Sequence, residues 1–393
     1  MDRIQGQPRA IDVLQAQLAS GRLHHAYILH GPVGVGKFTT ALAFARVLLC
    51  HEPQRDLTGR VVACDSCASC RLLTRAVRDA REAGDGSASA DEPAAMAAAH
   101  PDLHVITKEL ARYSDESTVR NRKLTQIPVE VVREALIEPV YRAARMQHGK
   151  VFIVDEAELL NLAGQNALLK TLEEPPAGTT LMLVTASEDR LLPTIRSRCQ
   201  RVPFVPLPNA VIADWLTKHA PDVSDQHRQW LTTFADGSLG RASLAIAYGL
   251  TEWADVVLPA LADTLRGRPH GELGAQLAER VDGFAKAWVD QHANASKEAA
   301  NKLAAQLMAT LICTHARRRI AIAAERCTVD DPAAAEAAME PWLGVIDAVH
   351  EAMGMLGSNV NLSLVCDHLA TTITTHLSPH QTPVSPAAPA RLS

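Results

Sequence analysis

A glycine-rich turn ending in lysine, HGPVGVGK at His30–Lys37, lies between a short apolar run, AYIL at Ala26–Leu29, and a helical pattern over Thr39–Leu49. Few folds accept that order. A strand running through such a turn into a helix suits phosphate, because glycines let the backbone approach without Cβ clashes and the N–H groups at the helix start point at the anion. Against the pattern G-x-x-x-x-G-K-[ST], Gly31, Gly36 and Lys37 are in place, with Gly34 inside the turn, but Phe38 stands where a hydroxyl is expected. In a working phosphate loop that hydroxyl holds magnesium. Thr39 has one, but a single helical step rotates a side chain by about 100 degrees, so it cannot take the same place.

Short apolar runs alternate with helical patterns through the first two hundred residues. LHVI at 103–106, VFIV at 151–154 and LMLVT at 181–185 read as strands, and 129–145 and 159–172 as helices, the first kinked near Pro139. Strands separated by helices predict an α/β fold, a parallel sheet covered on both faces. From Leu207 helical periodicity takes over, first in three short segments ending near Leu250. Longer helices are then expected over 252–266, 272–292, 296–324, 333–355 and 361–377. The segment 79–100, small and acidic, reads as a mobile loop or a loose helix, and 378–393, rich in proline and serine, as a disordered tail.

With 47% hydrophobic but only 4% aromatic residues, the composition favours helices. A formal charge of −5 excludes a protein coated in basic charge, so any contact with nucleic acid is local or shared with partners. No apolar run is long enough to span a membrane and MDRIQGQPRA lacks the apolar core of a signal peptide, so the chain is read as cytoplasmic.

Two constellations carry further chemistry. VFIVDE places Asp155 and Glu156 directly after an apolar run, where Asp155 would hold magnesium and Glu156 would polarise the attacking water. Cys50, Cys64, Cys67 and Cys70 have spacings that tetrahedral zinc tolerates, and four thiolates with no open position make a structural ion. Arg60, Arg71, Arg75, Arg78 and Arg81 lie in or just after this module. They suit a solvated helix face better than a nucleic-acid surface.

HHAYILHGPVGVGK, HPDLHVI, NALLKTLEEPP, LLPTIRSRC and DGSLGRA, taken in this order, resemble the clamp-loader branch of the AAA+ ATPases, and within it the delta prime family of bacterial DNA polymerase III. The likeness is dense over 6–249 and thin afterwards. It implies an AAA+ domain over 1–206 with its zinc module at 50–70, a helical lid over 207–250 and a helical collar over 251–377 that joins a hetero-pentamer. It also implies that Arg198 acts as an arginine finger in a neighbour's ATP site, with Thr185 and Arg241 as sensors of phosphate. The partners implied are the tau/gamma and delta subunits, the sliding clamp and, through the complex, primed DNA. The chain would be part of the polymerase holoenzyme without being a polymerase, and would bind ATP and Mg2+ weakly, leaving Glu156 a vestigial base. A tau/gamma-type motor should carry Ser or Thr in place of Phe38. A self-sufficient homo-oligomeric AAA+ ATPase is the reading from another class, and a zinc-dependent DNA-binding module a third, disfavoured by the negative charge and the complete α/β framework.

Overall fold

The computed structural model describes residues 4, 6–83, 99–120, 126–268, 271–291, 296–325, 332–358 and 360–377. Most of the segment expected to be mobile, and the whole tail from 378, lie outside these residues, as do the side chains of Arg78 and Arg81. The chain divides into two compact units, Met1–Val223 with Ala235–Ser243, and Ser224–Phe234 with Leu244–Ser393.

In the first unit, α1 (Pro8–Ser20) leads into β1 (Ala26–His30) and α2 (Lys37–Leu48). A small antiparallel hairpin follows, β2 (Gln54–Arg55) with β3 (Val61–Val62), and then α3 (Ala68–Ala83). β4 (Leu103–Ile106), β5 (Lys150–Val154), α4 (Leu162–Glu173), β6 (Thr179–Thr185) and β7 (Gln200–Pro203) complete an all-parallel sheet of order β4-β5-β6-β1-β7. Alternate residues feed two cores, as a sheet buried on both faces requires. Ala26, Ile28, Phe152, Val154, Leu181 and Leu183 pack on Leu168 and Leu172 of α4. Tyr27, Leu29, Val151, Ile153, Met182 and Val184 pack on Leu14 of α1 and Phe44 of α2. The four strands expected from sequence are present. β7 was not expected: QRVP buries only Val202 fully and pairs along one edge, so it lacks the apolar run that marks a central strand.

The helix expected over 129–145 ends at Val140. It runs as Val129–Val132, a π turn at Arg133–Ile137, and Glu138–Val140. Pro139 has no N–H to return to the carbonyl of Ala135, and the wider π turn ahead of it absorbs that loss. The end is fixed from two sides. Lys150, 5% exposed, donates through Nζ to the carbonyls of Pro139, Val140 and Arg142. Asp102 accepts the N–H groups of Arg145 and Met146, each at 2.7 Å. α4 starts three residues inside the predicted span, where Asn161 caps it by accepting the N–H of Gly164 at 2.7 Å.

Three short helices, α5 (Asn209–His219), α6 (Asp225–Ala235) and α7 (Leu239–Ala247), follow the sheet. The division between the units runs through them. The second unit is built on α8 (Leu250–Leu265), α9 (Leu273–Gln291), α10 (Lys297–Glu325), α11 (Pro332–Gly357) and α12 (Leu362–Leu377), close to the five spans read from periodicity. α10 packs on α9 and α11, and α12 packs on α8, α9 and α11. Among the described residues no single helix is long and apolar enough to cross a membrane.

Candidate functional site

The phosphate loop sits at the carboxyl end of β1, beside the ends of β5 and β6, where open α/β sheets place their ligands. Its backbone needs glycine: Gly34 and Gly36 have φ of +77° and +95°. Two contacts hold it. Gln7, 2% exposed, donates to the carbonyls of Val35 (3.2 Å) and Val205 (2.7 Å) and accepts from the N–H of Val205 at 3.2 Å. On the other side Gly240 N–H donates to the Gly34 carbonyl at 2.9 Å, and a Cβ on Gly34 would lie 2.2 Å from Ser238 Oγ.

Lys37 folds back, its Nζ donating to the carbonyls of Gly31 at 2.7 Å and Pro32 at 2.5 Å. Burial lowers its pKa, while the carboxylates of Glu158 and Asp155 act in the opposite direction. Phe38 is half-buried, packed against the core beside the sheet while also lining the cleft, so an apolar ring stands where the hydroxyl is expected. Thr39 is exposed and lines the cleft, whereas Thr40 is buried and spends its hydroxyl on the Gly36 carbonyl at 2.8 Å.

The cleft beside the loop has a volume of about 540 Å³ and is lined by the loop, Asp155, Glu156, Glu158, Thr185 and Trp215, among others. Burial pushes the Asp155 carboxyl up to about 6, and its Oδ1 accepts the N–H of Glu156 at 3.0 Å. Glu156, left-handed at φ +47°, is paired with Lys108 at 2.6 Å. Its charge is therefore already matched. Thr185, 1% exposed, accepts the N–H of Ser187 at 3.0 Å. Glu158 was not anticipated. One of its oxygens accepts Ala186 N–H at 3.1 Å, while Oε2 is buried without a hydrogen-bond partner among the described residues. The sequence signal was a third carboxylate in DEAE, easily absorbed into the acidic pair before it. A glycine-rich loop at the carboxyl end of the sheet, Lys37 and an orphaned carboxylate oxygen at the same cleft fit a phosphate-bearing ligand with a cation.

Three residues predicted for the nucleotide site or the arginine finger lie outside the lining of this cleft: Gly31, Arg241 and Arg198. Arg241 lies outside its lining, with Nη1 3.2 Å from the Ala235 carbonyl and 3.7 Å from Asp236. Arg198 is placed beyond α4, bonded to the Thr194 carbonyl at 3.0 Å and to Glu173 at 2.7 Å. Its neighbours are also matched, Arg196 with Asp189 at 2.9 Å and Arg201 with Glu188 at 3.5 Å. Gln165 sets this segment, donating to the carbonyls of Leu160 and Arg190 and accepting the N–H of Leu192 at 2.8 Å.

The four cysteines converge, their Sγ atoms all within 4.8 Å of one another. Cys50 Sγ accepts the N–H of Cys64 at 3.3 Å, Cys64 Sγ that of Cys67 at 3.3 Å, and Cys67 Sγ that of Cys70 at 3.4 Å. Hydrogen bonds, led by that from Ser66, draw Cys64 down to about 6, while burial raises Cys50 and Cys70. Such a donor set could hold a metal ion. Gln15 ties the module to α1, donating to the Val61 carbonyl at 3.0 Å and accepting its N–H at 2.8 Å. Of the arginines around it, Arg60 faces Asp12 at 3.8 Å.

Comparison with known proteins agrees with these parts. The chain is 32% identical over 275 residues to DNA polymerase III subunit delta' of Pseudomonas aeruginosa, covering 70% of this chain and 65% of that protein. It is 32% identical over 236 residues to the subunit delta' of Escherichia coli, 60% of this chain and 58% of that one. With DNA polymerase III subunit gamma/tau of Mycobacterium tuberculosis it shares 33% over 204 residues, 52% of this chain and 28% of the relative. The chain thus spans less than two thirds of the length of each of these relatives. The family model described as DNA polymerase III, delta subunit matches residues 6–81 and 83–208, just over half of the 393 residues. The chain belongs to that DNA polymerase III delta subunit family.

Proposed function

We propose that this chain is the delta prime subunit of a DNA polymerase III clamp loader. It would stand with tau/gamma and delta subunits in a ring of five that uses ATP to open the sliding clamp and place it on primed DNA, in the cytoplasm at the nucleoid. The first part of the chain is its AAA+ domain, 207–250 its lid and 251–377 its collar. Gly31, Gly34, Gly36, Lys37, Thr39, Asp155 and Thr185 form a site that holds ATP or ADP with Mg2+ but turns it over poorly, and Arg241 senses the phosphates from the lid. Cys50, Cys64, Cys67 and Cys70 hold a structural Zn2+, the ion that four thiolates at this spacing suit.

One combination supports the reading above all. The loop lacks its hydroxyl at Phe38 and the base Glu156 is ion-paired to Lys108, while Arg198 lies off its own cleft, anchored by Glu173. That is a division of labour: the chain supplies an arginine to a neighbour's phosphoryl transfer and little chemistry of its own. A tau/gamma-type motor, the runner-up, would need the hydroxyl that Phe38 replaces.

The test uses the loader reconstituted from this chain and its partner subunits. Gel filtration should show one hetero-oligomer. Arg198→Ala should leave the melting temperature unchanged and lower clamp loading at least about tenfold, since a trans arginine contributes about 10³–10⁵ to turnover at the site it serves. Unchanged loading refutes the trans role, and failure to assemble refutes the subunit reading.

A further inference from the structure

The cleft holds a carboxylate that the reading above does not use. Glu158 projects from the turn after β5, lines the cleft beside Lys37 and Asp155, and is oriented by the Ala186 N–H at 3.1 Å. Its second oxygen, Oε2, is buried with no hydrogen-bond partner among the described residues. A buried acceptor is normally satisfied, and an orphan needs a reason. Phe38 supplies one. The hydroxyl that usually holds the nucleotide's magnesium is missing from the loop, and Phe38, half-buried against the core while also lining the cleft, offers no oxygen in its place. Of the three carboxylates on this wall, Glu156 is engaged by Lys108 at 2.6 Å. Glu158 and Asp155 remain, with oxygen donors of the kind a hard divalent cation takes.

We propose that Glu158 joins Asp155 as a protein ligand of the divalent cation that accompanies a nucleotide in this cleft, replacing the loop hydroxyl lost at Phe38. The inference rests on the reading of the cleft as a nucleotide site. It carries a consequence that a structural role for Glu158 does not share. With Lys37 and Lys108 set against Asp155, Glu156 and Glu158, the wall keeps an excess of negative charge. A polyphosphate arriving without a cation is repelled by Glu158, and one arriving with a cation is attracted. Removing the charge at 158 therefore acts with opposite sign in the two cases.

The experiment is calorimetric titration of the full chain with ADP, once with Mg2+ and once in EDTA, together with proton relaxation of water by Mn2+ as a direct readout of the cation. Glu158→Gln keeps an acceptor for Ala186 N–H and should fold. In the unmodified chain Mg2+ is expected to strengthen ADP binding. Glu158→Gln should weaken binding with Mg2+ by about 10–100-fold, the range seen when a metal site loses a partner, should strengthen binding in EDTA, and should reduce the Mn2+ relaxation enhancement. Glu158→Asp should restore part of the cation effect. Equal weakening with and without Mg2+, or an undiminished cation effect, overturns the proposal while the nucleotide reading stands. If the unmodified chain binds ADP equally well in Mg2+ and EDTA, the proposal also falls. Absence of ADP binding at millimolar concentration in either medium overturns both.

Discussion

Gly240 has no backbone angle that forbids a side chain, yet it is the residue that lets the phosphate loop close. A Cβ there would lie 2.9 Å from Gly34 Cα, against backbone that has no slack to give. Gly34 meets it with φ of +77°, and the Gly240 N–H to Gly34 carbonyl bond at 2.9 Å joins the two. Gly240→Ala is expected to push the loop outward, at a cost of about 1–3 kcal/mol for overpacking, and to weaken ADP binding; Gly271→Ala, with nothing within 4 Å of its added Cβ, is the control. Equal melting temperatures and equal ADP affinities for the two variants would contradict this. The same pair of glycines shows what sequence can and cannot tell at this scale. Gly34, Lys37 and Asp155 were legible because chemistry fixes their spacing along the chain. Gln7, which secures the loop through Val205, 198 positions away, carries no local signal. Glu158 and Lys108 are hidden for a related reason: an acid and a lysine on loops look solvated until the fold brings one under Ala186 and the other against Glu156.

Elements were easier to read where one periodicity ran unbroken. The five helices of the second unit fall near their expected spans, since each must turn an apolar stripe to its neighbours. β7 and the early stop of the helix at Val140 escaped, because one depends on pairing with β1 and the other on Lys150 and Asp102 arriving from elsewhere. Packing between two of these helices also makes a pH-dependent element. His315 on α10 meets Trp342 on α11 edge to face, centroids 5.3 Å apart, and Arg319 lies 5.5 Å from the same ring. Burial first, then the charges of Arg319 and Arg318, push His315 down from 6.5 to about 4. The folded state thus keeps the imidazole neutral down to about pH 4, while the unfolded chain takes up a proton as pH falls through about 6.5. Its contribution to stability is complete above about pH 6.5 and is lost progressively as pH falls from there to about 4, roughly 3 kcal/mol in all. His315→Gln should flatten the pH dependence of denaturant midpoints between pH 7 and 4.5, and an unaltered slope would remove His315 as its source.

At the scale of the molecule, the division into two units determines where loss of a metal would be felt. All four cysteines belong to the first unit, and they draw together the end of α2 at Cys50, the knuckle at Cys64 and Cys67, and the start of α3 at Cys70. Besides the cysteines, the module is held by a hairpin of two-residue strands, the Gln15 bonds to Val61, Arg46 paired with Asp65 at 2.8 Å, the buried hydrogen bond between Ser69 and His100 at 2.9 Å, and Leu73 in the core. Four thiolates crowded within 4.8 Å would repel as anions without a cation between them, so binding of a metal there would be coupled to order in the module. Cys67→Ser, or a strong zinc chelator, should release about one zinc ion per chain and expose the amides of residues 50–73 to hydrogen exchange. Protection should also fall in the second half of α1, where Gln15 loses its partner, while α9, α10 and α11 keep theirs, because the ligands lie in the other unit. Metal analysis of the unmodified chain decides the first half of this, and absence of zinc ends the claim. The exchange pattern decides the second: protection lost evenly through both units would mean that the cysteines stabilise the chain as a whole, whereas loss confined to the first assigns the metal the local task of fastening α2 to α3.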